Sequence, residues 1–133
     1  KYFGDAIGVF HSHYSQNERA EVWQAVARFP EENSYSIVLG ARSAVFLPFE
    51  NLGLVIVDEE HESSFKHFDP APRYHGRDAA IVLARLHGAM CILGSATPSL
   101  ESYYNAKIGK YDYVSLIDRF GELLLPEVHF IDL

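Results

Sequence analysis

Short apolar runs punctuate the chain, and stretches with helical spacing lie between most of them. Ala6-Ile7-Gly8-Val9-Phe10, Ser36-Ile37-Val38-Leu39-Gly40, Leu52-Gly53-Leu54-Val55-Ile56-Val57 and Met90-Cys91-Ile92-Leu93-Gly94 are too short for helices and mostly rich in β-branched residues. Such runs read as strands buried on both faces, the mark of a parallel sheet covered by helices. Residues 113–117 and 128–132 read as two further strands, separated by a Gly121-Glu122 turn and Pro126.

The first helical stretch opens on Ser15-Gln16-Asn17-Glu18. This is the Ser-x-x-Glu capping box, in which both side chains satisfy free backbone N–H groups. Ala20, Val22, Trp23, Val26, Ala27 and Phe29 supply its apolar stripe, with Trp23 as a core anchor, and Pro30 ends it. A second helix is predicted over residues 76–86, with Ala79, Ala80, Val82, Leu83 and Leu86 inward and Gly88 in the left-handed position beyond its end. A third has Thr97 as N-cap, Pro98 at the first helical position and Gly109 after residue 108. Residues 62–75 mix aromatics, cations and prolines without a period and read as a loop with something to touch. Strands alternating with helices place the chain in the α/β class with a parallel sheet.

The 133 residues, 48% of them hydrophobic, suffice for one core and one compact domain. A net charge of -7 excludes a globally basic nucleic-acid coat protein but leaves room for a local basic and aromatic patch that binds DNA. The single cysteine, Cys91, has no partner for an intrachain disulfide and reads as a small core residue in a reducing compartment. No apolar stretch is long enough to cross a bilayer and no signal-peptide pattern opens the chain, so a cytoplasmic protein without a membrane partner is expected. The start without methionine suggests a piece of a longer polypeptide.

Candidate chemistry gathers where the apolar runs end. The third strand closes on Asp58-Glu59-Glu60-His61. Carboxylates at the C-terminal end of a parallel strand sit in the crevice where open α/β sheets bind ligands. One acid followed by another suits nucleoside triphosphate hydrolysis: the first holds magnesium, directly or through water, and the second activates the attacking water. A parallel sheet brings Arg42-Ser43 and Ser95-Ala96-Thr97 to the same edge, and the latter opens a helix whose free N–H groups favour anions. Two other readings use the same residues. A metal-dependent hydrolase could recruit His11, His13, Asp58, Glu59, His61, His67 and His75, although His-Glu-x-x-His is missing and His11 and His13 follow a strand. A non-catalytic nucleic-acid-binding or interaction module would need no acids, and Phe65, Phe68 and Tyr74 could instead pack beneath their own loop.

Four stretches in order carry a resemblance. Gly40-Ala41-Arg42-Ser43-Ala44-Val45-Phe46-Leu47-Pro48-Phe49, Asp58-Glu59-Glu60-His61, Pro72-Arg73-Tyr74-His75-Gly76-Arg77-Asp78 and Gly94-Ser95-Ala96-Thr97-Pro98-Ser99-Leu100-Glu101-Ser102 together resemble the PriA (primosomal protein N-prime) family of replication-restart DNA helicases, in helicase superfamily 2. The likeness runs from His11-Ser12 through Glu18-Arg19 and Trp23 to the end. It implies that residues 1–133 are the C-terminal part of the first of two RecA-like motor lobes, a partial parallel sheet flanked by helices and lacking the P-loop strand. By the same resemblance Asp58 is the magnesium-associated acid and Glu59 activates the hydrolytic water. His61 links the nucleotide to Ser95, Ala96 and Thr97, which couple hydrolysis to strand movement. Arg42 and Ser43 lie near the single-stranded DNA path, and Phe65, Lys66, His67, Phe68, Arg73 and Tyr74 belong to an aromatic-rich loop that senses DNA.

The implied cofactors are ATP and magnesium. The implied partners are single-stranded and forked DNA, the primosome and replication-restart proteins, and single-stranded-DNA-binding protein, at the bacterial nucleoid. Three departures stand out. No Gly-x-x-x-x-Gly-Lys-Ser/Thr occurs, since Gly109-Lys110 is followed by Tyr111. The family's zinc-binding cysteines and second-lobe arginine motifs are also missing, so this chain alone is expected to be idle, with no zinc site. Ala41 and Gly76 stand where the family often has Thr and Ala, and neither change removes a reactive group.

Overall fold

The computed structural model describes residues 3–31 and 34–117. The described residues up to 99 form one compact unit and those from 100 onward belong to a second. In the first unit the order is β1 (Ile7–Phe10), α1 (Gln16–Ala27), β2 (Ile37–Gly40), β3 (Leu54–Val57), α2 (Gly76–His87) and β4 (Met90–Leu93), with short 3-10 turns at Gly4–Ala6, Arg42–Phe46 and Ser63–Phe65. β1 pairs in parallel with β2, Ile7 opposite Ile37 and Phe10 opposite Gly40. β3 pairs in parallel with β4, Leu54 opposite Met90 and Val57 opposite Leu93. The α/β class and the parallel pairing follow the apolar pattern. Among the described residues, however, the strands form two separate pairs rather than one sheet, because no strand hydrogen-bonds to both.

The capping box at α1 forms as the sequence dictates. The Ser15 hydroxyl accepts the Glu18 N–H at 3.3 Å, and a Glu18 carboxylate oxygen accepts the Ser15 N–H at 2.8 Å. Val22 and Val26, one helical turn apart, join Phe10 and Leu47 in the core, with Tyr35, Val38, Ala44 and Phe49 packed around them. The face differs from the predicted stripe: Ala25 is buried, Ala20 is exposed and Trp23 is 48% exposed. The buried trio needs only a narrow seam, and the indole lies at its margin, beside Gln16, Arg19 and Phe10.

α2 covers one face of the β3–β4 pair, burying Ala80 and Ala84. Small residues there let the helix approach the strands closely. Gly88 takes the predicted left-handed conformation, φ 64°, at the helix end. Two expectations fail for one reason: a single helix shields a single face. Leu54, Ile56, Met90 and Ile92, which share the opposite face of the pair, stay exposed, so these strands are not buried on both sides. Val82 and Leu86 of α2, expected inward, are 56% and 79% exposed and border an open groove with Phe46 and Tyr74.

The second unit contains α3 (Leu100–Lys107), followed by Gly109 at φ 74°. Thr97 is not its N-cap, since the helix begins at Leu100, two residues after the predicted first position Pro98, and the Thr97 hydroxyl is used elsewhere. Residues 113–117 form no strand; Val114, Leu116 and Ile117 are exposed, and no described strand offers them a ladder partner. The strand predicted at 128–132 lies outside the described residues. Among the described residues no helix is long and apolar enough to cross a membrane.

Candidate functional site

Because β3 and β4 run in parallel register, the segments leaving their C-terminal ends emerge side by side. The ladder continues past them: the Gly94 N–H donates to the Val57 carbonyl at 2.8 Å and the Glu60 N–H to the Gly94 carbonyl at 3.0 Å. Between these bonds Glu59 adopts φ 48°, a left-handed conformation rare for a residue with a Cβ. The Asp58 Oδ1 accepts the Glu59 N–H at 3.0 Å and steadies the turn. The outcome is that consecutive side chains diverge. Asp58 and Glu59 are exposed, Glu60 is buried and His61 lies sideways, half-buried.

His61 faces the segment after β4. Its Nδ1 is 2.7 Å from the Ser95 hydroxyl and its Nε2 is 3.3 Å from the Thr97 hydroxyl. A neutral imidazole has one donor and one acceptor nitrogen, and a hydroxyl can serve either, so both tautomers satisfy this pair. Ser95 also accepts the Thr97 N–H at 3.0 Å, which folds the segment toward the ring. Carboxylate oxygens of Glu59 and Glu62 flank the ring, 3.5 Å from Nδ1 and 3.9 Å from Nε2. The structure thus brings His61 together with Ser95 and Thr97, with Glu59 beside the ring, whereas Arg42 and Ser43, expected on the same edge, follow β2, which belongs to the other strand pair.

Sequence reasoning passed over the polar network beneath them. Arg77 donates from one terminal nitrogen to Glu60 at 2.9 Å and to the Ser99 hydroxyl at 2.7 Å. The Ser99 N–H reaches the other Glu60 oxygen at 2.6 Å, and its hydroxyl lies 3.0 Å from the first. Partial burial disfavours the Arg77 charge, but hydrogen bonds to Asp78 and Glu60 outweigh it and hold the guanidinium pKa above its ordinary value. A signal was available: Arg77 sits in the first turn of α2, where the helix dipole disfavours a cation, and so calls for a dedicated carboxylate.

The loop over 62–75 divides by side. Phe65 stacks on His75 with centroids 6.5 Å apart, and Tyr74 meets Phe46 edge-on at 4.9 Å and His67 at 5.2 Å. Phe65, His67, Tyr74 and His75 are half-buried, whereas Phe68 is 61% exposed, with the Lys66 ammonium 5.1 Å above its ring, and Arg73 is also exposed. Arg42 donates to the Ser64 and Lys66 carbonyls at 2.7 and 3.1 Å and thereby fastens the loop. The Arg42 side chain lies so close to Gly76 that a Cβ there would come within 2.8 Å of it. Ser43 lies in the 3-10 turn Arg42–Phe46 that follows β2. Of the predicted set, Arg42, Phe65, His67 and Tyr74 are thus engaged within the protein, and Lys66, Phe68 and Arg73 face outward.

Among the described residues no three His, Cys, Asp or Glu side chains are arranged to hold a metal ion, so the residues a metal-dependent hydrolase would recruit do not assemble. Asp58 and Glu59 are nonetheless exposed oxygen donors of the kind magnesium takes when phosphate and water complete its shell.

Fold and site together define a class: a partial RecA-like α/β fragment, with an acidic turn and a Ser/Thr segment at neighbouring parallel strand ends. No protein-family model matches the chain. Curated relatives narrow the class. The chain is 45% identical over 131 residues to the replication restart protein PriA of Bacillus subtilis, covering 98% of this chain and 16% of that protein. It is 43% identical over 132 residues to PriA of Chlamydia muridarum and 44% over 131 residues to PriA of Haemophilus influenzae, covering 99% and 98% of this chain and 17% of each relative. The chain belongs to the PriA family, of whose length it spans about one sixth.

Proposed function

We propose that the chain is part of an ATP-dependent DNA helicase that acts in replication restart, and that it supplies the acids of the nucleotide site and the coupling residues of the first motor lobe. One observation carries this reading. Asp58 and Glu59 are consecutive and exposed while His61, two residues on, is hydrogen-bonded to both Ser95 and Thr97. Bound magnesium would neutralise phosphate charge and polarise the terminal phosphate. Asp58 would hold that ion, directly or through water, and Glu59 would orient the attacking water and accept its proton.

His61 then senses the acids through the turn and passes their state to residues 95–97. Lys66, Phe68 and Arg73 meet DNA, the aromatic by stacking and the cations at phosphates. The phosphate cradle does not occur within these 133 residues, so the chain turns over no ATP by itself. On this reading any structural zinc belongs to other parts of the polypeptide. The partners are forked and single-stranded DNA, primosome proteins and single-stranded-DNA-binding protein, in the bacterial cytoplasm.

Glu59→Gln in the full-length protein keeps the side chain's shape and removes the base. ATP turnover falls by roughly two to four orders of magnitude while nucleotide binding persists. Wild-type turnover in that variant, with binding measured in parallel, contradicts the role given to Glu59.

A further inference from the structure

Glu60 has no part in the chemistry above, yet it is the one buried charged side chain among the described residues, 1% exposed. Both of its oxygens are engaged: Oε1 by the Ser99 N–H, Oε2 by Arg77 and the Ser99 hydroxyl. The three residues come from three places: the turn after β3, the first turn of α2, and the end of the segment that follows β4. α2 is entered directly from the aromatic loop, whose last residue, His75, is the N-cap of the helix. The loop's close is also tied by backbone, His67 N–H to the Tyr74 carbonyl at 2.8 Å.

We propose that Glu60 is a positioning residue that couples the aromatic loop to residues 95–97 through Arg77 and Ser99. The segment over 95–99 is held at two points by consecutive residues of one turn, His61 at Ser95 and Thr97, and Glu60 at Ser99. A displacement of α2 that carries Arg77 therefore pulls on Glu60 and Ser99 together and changes how Ser95 and Thr97 meet His61. An apolar side chain could fill the same space, but it would not fix direction; a doubly engaged carboxylate sets register between three segments. This inference rests on the helicase reading, because only there does the loop sense DNA and only there do residues 95–97 report on the nucleotide.

The test compares Glu60→Gln and Ser99→Ala in the full-length protein, with folding checked by thermal melting and ATP turnover measured with and without single-stranded DNA. Glu60→Gln keeps volume but weakens the contact with Arg77. Ser99→Ala removes one hydroxyl and leaves the carboxylate paired with Arg77. The expected result is a loss of about tenfold in stimulation by DNA for Glu60→Gln and a smaller loss for Ser99→Ala. Basal turnover and the KM for ATP stay within about twofold, since neither residue touches the reacting atoms. If folded Glu60→Gln keeps wild-type stimulation, or if basal and stimulated turnover fall in proportion, the positioning role is overturned. If Glu60→Gln does not fold, unchanged stimulation in Ser99→Ala overturns it. A wild-type protein whose ATP turnover ignores DNA overturns the helicase reading itself, a result distinct from the others.

Discussion

The two strand pairs of the first unit are held together by opposite means. Around β1 and β2 the contacts are apolar: Phe10, Val22, Val26 and Leu47 form a closed cluster that excludes water. Around the ends of β3 and β4 they are polar: Glu60, Arg77 and Ser99 make a buried network, and His61 bridges to Ser95 and Thr97. An apolar cluster tolerates small displacements, because dispersion is non-directional and each contact is individually weak. A network of charged hydrogen bonds has only discrete arrangements, and losing one partner strands the others. The first half can give slightly without losing its contacts, whereas the second holds three segments in one register, and the candidate site belongs to the second.

Phe10→Ala is the harshest test of this contrast. Phe10 is 6% exposed at the centre of the small cluster. Removing its ring leaves a cavity and costs about 3 to 5 kcal/mol of stability, read by urea denaturation of the full-length protein. The hydrogen bonds of His61 lie beyond that cluster, so in the fraction that remains folded the ratio of DNA-stimulated to basal ATP turnover stays near wild type. A variant whose stimulation collapses while its stability holds would break the division of labour between the two halves.

The aromatic loop permits a finer cut, because its rings fall on different sides. Phe68 is 61% exposed, and Phe68→Ala changes stability by no more than about 0.5 kcal/mol. If the exposed ring stacks on a base, the same change weakens single-stranded DNA binding by about 1 to 3 kcal/mol, measured by fluorescence anisotropy with a labelled oligonucleotide. Phe65, half-buried against His75, behaves in reverse and loses more stability than affinity. Equal effects of the two alanine substitutions on stability would show that the loop has no inner and outer side.

What the sequence revealed and what it hid follow the same physical division. Strand ends, the Ser15 cap, the Gly88 terminus and the meeting of His61 with Ser95 and Thr97 were legible, because each depends on local chemistry or on parallel register, whereas the place of Arg42 and Ser43 was not, because the strands divide into two pairs. The second covering of the β3–β4 pair was not, since Leu54 and Ile56 look apolar whether or not anything lies over them. Thr97 illustrates a competition between rules: it has the composition of an N-cap, but its hydroxyl is taken by His61, a contact 36 residues distant in sequence. The Glu60 network was hidden for a similar reason. In a run of three acids the sequence does not say which one turns inward; the left-handed backbone at Glu59 decides that.

The smallest expected effect concerns an exposed polar device in the apolar half, the cap of α1. Hydrogen bonds from the Ser15 side chain and then its backbone hold the Glu18 carboxyl below its ordinary value of 4.5. A carboxylate whose pKa is lower in the folded state contributes stability that is fully present above 4.5 and is lost as the pH falls through the lowered folded value. Glu18→Gln retains a side chain able to accept the Ser15 N–H but has nothing to titrate. The stability difference between wild type and Glu18→Gln is therefore small at neutral pH and disappears in acid, because Glu18 is fully exposed and solvent screens it. Denaturation midpoints of both proteins at neutral and acid pH check this. A difference that persists unchanged in acid would mean that the charge of Glu18 does not carry it, and that the apolar half of the molecule has no pH-sensitive contact at this helix start.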